Sequence, residues 1–123
     1  MRQLPVVLVI EDQNELLDVL RDVLDGEGYE VSAVRSPGEA LEVLRNKSVD
    51  LLVSDYAPPF DDGSDPLVGI SEEFPELPVI VFSEDDEQSI PFFGPWRTEG
   101  TRMTLRKPFK LDDLIAASRE VVG

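Results

Sequence analysis

The chain has 123 residues, of which 41% are hydrophobic and 30% charged, proportions that are ordinary for one globular domain with its own core. With 26 acidic and 11 basic side chains the formal net charge is −15, which argues against direct binding to nucleic acid or an anionic membrane. The absence of cysteine excludes disulfides, thiolate catalysis and zinc–thiolate sites. We therefore expect a cytoplasmic protein that forms a single domain over residues 1–123, with no membrane span, signal peptide or effector domain.

The chain opens with a predicted strand and a predicted helix. The unbroken apolar run Val6–Ile10 is typical of a strand that is buried on both faces. Glu11 and Asp12 end this strand, because neither carboxylate is expected to remain in a core. The helix that follows ends at the breakers Gly26 and Gly28. Its apolar residues recur at helical spacing, and they are Leu16, Leu17, Leu20, Val23 and Leu24.

A second strand–helix pair leads to the strand around which the chain is organised. Residues 29–34 are predicted as a strand, and Ser36-Pro37-Gly38-Glu39 is a capping box that begins a helix. The buried stripe of that helix consists of Ala40, Leu41 and Leu44. The third strand is continuously apolar over residues 51–53 and ends at Asp55. A turn then follows, marked by Pro58, Pro59 and the cluster Asp61-Asp62-Gly63.

The second half of the chain continues the alternation. Ser64 is a candidate cap for a third helix, whose first turn tolerates Pro66 and whose apolar positions include Leu67, Ile70 and Phe74. The apolar run 78–82 predicts a fourth strand that ends at Ser83, and residues 103–106 predict a weaker fifth strand. A final helix begins with two favourably placed acids, Asp112 and Asp113, and contains the apolar residues Leu114, Ile115, Val121 and Val122.

Residues 84–101 interrupt this regular order. Four acids at 84–87 precede an apolar stretch, and Pro91 and Pro95 within it forbid a long regular helix. The large apolar residues of the stretch are Ile90, Phe92, Phe93 and Trp96. Two interpretations arise: these side chains fill the space that a missing helix leaves, which we favour, or they form an exposed patch for a partner.

Strands that alternate with helices predict an α/β fold, in which a parallel sheet carries helices on both faces and the fourth helix is short or broken. The carboxyl ends of parallel strands meet at one edge of the sheet, where ligands bind. Polar residues end the first, third, fourth and fifth strands, namely Glu11, Asp12, Asp55, Ser83 and Lys107. Each of them alone is readily explained as a cap or a solvated side chain. Together, three carboxylates and a lysine suit Mg²⁺ and phosphoryl transfer, with Asp55 as the nucleophile.

Over nearly its whole length the sequence resembles the receiver domain of bacterial two-component response regulators. The run Val6–Ile10 with its acid pair is similar to the family's first strand, and Asp55 with Pro59 and Gly63 to its phosphoacceptor strand and loop. Residues 78–83 look like its fourth strand with the switch hydroxyl. Lys107-Pro108-Phe109 looks like its Lys-Pro motif, whose peptide bond is usually cis.

The resemblance implies a three-layer sandwich around a flavodoxin-like, five-stranded parallel sheet of order 2-1-3-4-5. It also implies that a histidine kinase or a phosphotransfer protein phosphorylates Asp55, and that the domain catalyses only its own phosphorylation and dephosphorylation. The implied ligands are Glu11 (through water), Asp12, Asp55 and the backbone carbonyl of Ala57 for Mg²⁺, and Ser83 and Lys107 for the phosphoryl oxygens. The output, through an effector domain, a protein target or a homodimer, is left open.

Two positions depart from the family pattern. Glu84 follows the switch hydroxyl where Ala or Gly is usual, and its charge opposes an incoming phosphoryl group. Thr104 replaces the usual Tyr or Phe whose ring moves with that hydroxyl. Two functions of different class therefore remain: a phosphoryl-accepting domain, which we favour, and a pseudo-receiver that binds partners independently of phosphate. A haloacid-dehalogenase-like phosphatase is rejected, because Ala57 stands where its second Asp is required.

Overall fold

The computed structural model describes residues 4–55, 66–83 and 102–122, with only the backbone at positions 66, 68, 83, 102, 104 and 106. The described strands are β1 (Val6–Ile10), β2 (Glu30–Val34), β3 (Leu51–Asp55), β4 (Val79–Ser83) and β5 (Arg102–Arg106). The described helices are α1 (Asn14–Gly26), α2 (Pro37–Asn46), α3 (Pro66–Glu73) and α4 (Leu111–Val122). The predicted cap Ser64, the predicted broken helix and the aromatic stretch of residues 90–96 lie outside the described residues. Among those that are described, no helix has both the length and the apolarity needed to cross a bilayer.

The strands form one parallel sheet in the order β2-β1-β3-β4-β5, which confirms the predicted flavodoxin-like topology. The register places Ile10 opposite Ser54 and Asp55 opposite Phe82, so the carboxyl ends of the three central strands lie side by side. The strand order reverses between β1 and β3, and a crevice opens at such a switch point. The sheet therefore brings the ends of β1 and β3 to the position where ligands bind in folds of this kind.

Side chains that alternate along the strands supply the sheet with a core on each face. Leu8 and Leu52 belong to a cluster that α2 and α3 cover, whereas Val7 and Val53 belong to a cluster that α1 and α4 cover. All four side chains are fully buried. A strand that is covered on both faces needs apolar residues at consecutive positions, which explains the unbroken apolar runs of the sequence.

The capping box at the start of α2 is only half formed. Oγ of Ser36 accepts a hydrogen bond from the backbone N–H of Glu39 at 3.3 Å, as predicted. The Glu39 carboxylate accepts its bond from the N–H of Arg35, at 3.1 Å, and not from the N–H of the cap residue itself. The carboxylate therefore fixes the residue that directly follows β2, so the start of α2 and the end of β2 form one hydrogen-bonded unit.

Tyr29 was predicted as the first residue of a strand, but β2 begins one residue later, at Glu30. Gly28 precedes Tyr29 with a φ of +88°, a turn conformation that a residue with a Cβ rarely adopts. The Tyr29 side chain is buried, and its hydroxyl lies 3.5 Å from Oγ of Ser118 in α4. Ser118 in turn donates to the carbonyl of Ile115 at 2.9 Å. Tyr29 thus anchors α4 instead of extending the sheet.

Candidate functional site

Asp55 and Lys107, which are far apart in sequence, meet at the carboxyl edge of the sheet. Asp55 is the last residue of β3, and Nζ of Lys107, just after β5, donates a hydrogen bond to its Oδ1 within an ion pair. Asp55 keeps 31% of its side-chain surface exposed and Lys107 keeps 29%. The Lys107–Pro108 peptide bond is cis, as the resemblance implied. The pair is therefore a carboxylate within reach of solvent, held against a fixed positive charge.

Glu11 contradicts the expectation that neither acid after β1 remains in the core, because only 2% of this residue is exposed. Its Oε2 atom is buried and has no hydrogen-bond partner among the described residues. Burial raises the pKa of the Glu11 carboxyl above its ordinary value, and the negative charges of Asp55 and Asp12 raise it further. The backbone N–H of Gln13 and the charge of Lys107 oppose this rise in pKa. These two interactions, together with the raised pKa, lower the cost of burying the Glu11 carboxyl.

The donor atoms at this edge fit a hard cation in their chemistry. Three carboxylates supply only oxygen, which Mg²⁺ prefers, and the unpartnered oxygen of Glu11 is an atom that a cation would satisfy. Their arrangement is not that of a finished metal site, since within the described ranges no group of three such side chains is placed to hold a metal ion. Asp12 is exposed, and Asp55 is paired with Lys107. The structure thus brings Asp55 and Lys107 together, with Glu11 electrostatically coupled to them, but does not gather all three acids around one point.

The remaining predicted site residues are described in part or not at all. Ser83 is the last residue of β4 and lies opposite Arg106, one residue before Lys107, so its backbone is at the same edge of the sheet as Asp55. The backbone of Thr104 lies within β5, opposite Val81. Ala57 and Glu84 are outside the described residues. Their roles stay predictions from the sequence.

Sequence reasoning missed an aromatic contact that supports the loop carrying Lys107. The rings of Phe82 and Phe109 are stacked, with centroids 4.5 Å apart and an interplanar angle of 25°. Phe82 is fully buried in β4, and Phe109 follows Lys107 by two residues. The stack therefore ties the lysine loop to the neighbouring strand. The sequence signal was available, because Phe109 directly follows the Lys-Pro pair and Phe82 directly precedes Ser83.

Replacing Glu11 with glutamine should raise the free energy of unfolding by about 1 kcal/mol at neutral pH, because it removes a buried negative charge that Asp55 and Asp12 repel. The Glu11 pKa is raised in the folded state, so its destabilising effect is absent below the ordinary value of 4.5. That effect grows as the pH rises from 4.5 to the raised pKa of the folded state, and it is constant above that pKa. In urea unfolding without divalent cations, the free energy of unfolding of the variant should therefore exceed that of the wild type by an amount that increases as the pH rises from about 4. An equal gain at every pH would show that the Glu11 charge is not its source.

The fold and the edge site together define a class of protein. A flavodoxin-like parallel sheet that carries an acid pair, a strand-end aspartate and a lysine at its carboxyl edge is the arrangement of a receiver-type signalling domain. The family model described as the response regulator receiver domain matches residues 7–119, and the chain belongs to this family. It is thus a signalling domain of the two-component type.

The chain is similar to several response regulators. It is 31% identical over 120 residues to the DNA-binding transcriptional regulator NtrC of Escherichia coli K12, covering 96% of this chain and 25% of NtrC. It is 30% identical over 116 residues to the response regulator MprA of Mycobacterium sp. strain KMS, covering 94% of this chain and 50% of MprA. The chain therefore spans between a quarter and a half of the length of these two relatives.

Solved structures show the same fold. The chemotaxis protein CheY4 of Vibrio cholerae superimposes with a TM-score of 0.78 at 20% identity, over 98% of this chain and 100% of CheY4. A response regulator receiver domain protein from Clostridium thermocellum gives a TM-score of 0.77 at 26% identity, over 97% of this chain and 94% of that one. The likeness to CheY4, at its low identity, is a likeness of fold alone.

Proposed function

We propose that this domain accepts a phosphoryl group on Asp55 from a histidine kinase or a phosphotransfer protein, in a reaction that depends on Mg²⁺. The observation that carries the proposal is the ion pair of Lys107 with Asp55, which ends β3 beside the switch point of the sheet. The carboxylate is exposed enough to meet a donor, and the ammonium group beside it can bind the anion that arrives. Membership of the receiver family supports the two-component context.

The proposed chemistry is a transfer to the carboxylate of Asp55. One Oδ atom attacks the phosphorus, the bond between phosphorus and the donor's nitrogen or oxygen breaks, and its electron pair leaves with the donor. Lys107 neutralises charge on the transferred oxygens, and Ser83 is proposed to donate its hydroxyl to one of them. Glu11, Asp12, Asp55 and the carbonyl of Ala57 would hold Mg²⁺, which supplies further charge neutralisation. The product is an acyl phosphate on Asp55.

Phosphorylation changes the charge at the sheet edge, because a neutralised ion pair becomes a dianionic group beside one lysine. Lys107 then has a stronger partner, and the loop that carries it is tied to β4 by the stacked rings of Phe82 and Phe109. We propose that the domain shifts between two states on this charge change and so alters the surface it offers to an effector domain, a protein target or a second copy.

The test is phosphorylation of the whole chain by a small donor, such as acetyl phosphate or phosphoramidate, with Mg²⁺. Intact-mass spectrometry should show one phosphoryl adduct on the wild type and none on Asp55→Asn. Asp22→Asn, which removes an exposed acid from α1, is the matched control and should accept the adduct as the wild type does. An equal adduct on Asp55→Asn, or no adduct on the wild type with either donor, refutes the proposal.

A pseudo-receiver that binds its partner without phosphate is the second candidate, and two sequence features favour it. Glu84 adds a negative charge directly after the switch hydroxyl, and Thr104 lacks the usual aromatic ring. This function predicts that a partner binds the wild type and Asp55→Asn with equal affinity, whether or not Mg²⁺ and a phosphodonor are present. Affinity that changes with the donor in the wild type alone rules it out.

A further inference from the structure

The loop that carries the acid pair is held to the end of β2 by two hydrogen bonds to its backbone. The N–H of Glu11 donates to the carbonyl of Val34 at 3.1 Å. Nη2 of Arg35 donates to the carbonyl of Asp12, also at 3.1 Å. Asp12 lies before the first turn of α1, so no intrahelical N–H reaches its carbonyl, and the guanidinium supplies the donor instead. Both contacts use main-chain atoms of the acid pair and leave its carboxylates available for the site.

Arg35 is itself held in place from its other side. Its backbone N–H donates to the Glu39 carboxylate at 3.1 Å, and the N–H of Glu39 donates to Ser36 at 3.3 Å. These bonds connect the start of α2 to Arg35, and the Arg35 side chain connects that unit to Asp12. Arg35 thus holds the backbone of the acid pair in place, although it is not itself an acid and does not lie in the phosphoacceptor strand.

We propose that Arg35 is a positioning residue for cation binding at the acid pair: by holding the carbonyl of Asp12, it fixes the backbone from which Glu11 and Asp12 present their carboxylates. This inference rests on the proposed Mg²⁺-dependent function. Partners of this indirect kind, which orient metal ligands without touching the metal, typically change metal affinity by about 10- to 100-fold when removed. Because Arg35 is exposed and water can compete for the carbonyl, we expect the lower end, an increase of about tenfold in the Mg²⁺ dissociation constant for Arg35→Ala.

If Arg35 acted only through its charge, Arg35→Ala would bind Mg²⁺ more tightly, so the direction of the change distinguishes the two roles. Removing a cation close to an acidic site strengthens the attraction for Mg²⁺, so a purely electrostatic role for Arg35 predicts tighter binding in Arg35→Ala. Arg21→Ala is the matched control, because Arg21 is an exposed arginine in α1 whose guanidinium is paired with Asp18 and not with the Asp12 carbonyl. The Arg21→Ala variant loses the same charge but keeps the hydrogen bond from Arg35 to the Asp12 carbonyl. Its affinity for Mg²⁺ should therefore equal or slightly exceed that of the wild type.

The experiment is calorimetric titration of the metal-free chain with Mg²⁺, for the wild type, Arg35→Ala, Arg35→Lys and Arg21→Ala. Arg35→Lys keeps a cationic donor and should recover most of the affinity. Amide exchange provides an independent structural readout, since the N–H of Glu11, which donates to the carbonyl of Val34, should exchange faster in Arg35→Ala. Urea unfolding of each variant establishes that the titrations are made on folded protein.

The outcomes separate this inference from the function on which it rests. Weaker binding in Arg35→Ala, with recovery in Arg35→Lys and none of the loss in Arg21→Ala, supports the positioning role. Unchanged or tighter binding in Arg35→Ala overturns it, and leaves the proposed function intact if the wild type still binds Mg²⁺ and is phosphorylated. A wild type that binds no Mg²⁺ overturns both.

Discussion

Replacing Lys107 with methionine should slow phosphorylation of Asp55 by about 10²-fold, the usual effect of losing one charge-stabilising donor from a reaction site. Methionine is similar in length to lysine but carries no charge, so the change removes the ion pair with Asp55 while keeping much of the bulk. The transferred oxygens then lose the ammonium group that neutralises them. Initial rates of adduct formation, followed by intact-mass spectrometry with acetyl phosphate at saturating Mg²⁺, measure the effect.

Lys47→Met is the matched control for this prediction. Lys47 is an exposed lysine that forms an ion pair with Glu30, at the start of β2 and thus at the opposite edge of the sheet. Its loss should leave the rate of adduct formation within about twofold of the wild type, because a surface pair of this kind contributes little. If Lys107→Met were phosphorylated at the wild-type rate, the pair between Lys107 and Asp55 would be structural and not part of the reaction.

Replacing Leu52 with alanine should lower the free energy of unfolding by about 3–4 kcal/mol. Leu52 is fully buried in β3, three residues before Asp55, and packs in the cluster that α2 and α3 cover. The truncation removes buried methyl groups and leaves a cavity in a sheet that can collapse only partly. Since domains of this size are typically stable by about 5–15 kcal/mol, the variant should still fold.

Urea unfolding measures this loss, and Leu4→Ala provides the comparison. Leu4 keeps 59% of its surface exposed, so the same chemical change there should cost less than about 0.5 kcal/mol. The midpoint for Leu52→Ala should fall while the slope of the transition stays constant. Similar losses for the two variants would contradict the placement of Leu52 in the core.

The order of the strands and helices could be predicted from the sequence because several independent features of the sequence indicate it. The continuous apolar runs of β1, β3 and β4 predicted strands buried on both faces, and the alternation of strands with helices predicted a parallel sheet. Once the strands are parallel, the residues that end them must share one edge. The meeting of Asp55 with Lys107 was therefore predictable from the order of elements and the resemblance together.

The details that escaped prediction depend on single contacts. The burial of Glu11 depends on how deeply the chain runs before it turns, and apolar periodicity does not report that depth. The bond from Arg35 to the Asp12 carbonyl joins a side chain to a backbone atom 23 residues away, and a main-chain acceptor leaves no trace in the sequence. A buried Tyr29 fits a strand or a turn equally well on composition, and only its contact with Ser118 distinguishes them.

The ion pair of Asp55 and Lys107 also joins two chain segments that lead to helices on opposite faces of the sheet. The chain beyond Asp55 continues to α3, which covers one face of the sheet, whereas the chain beyond Lys107 continues to α4, which covers the opposite face. The helices that follow the two members of the pair therefore pack in separate hydrophobic clusters. We therefore expect a chemical change at this one pair to affect both helical layers of the domain.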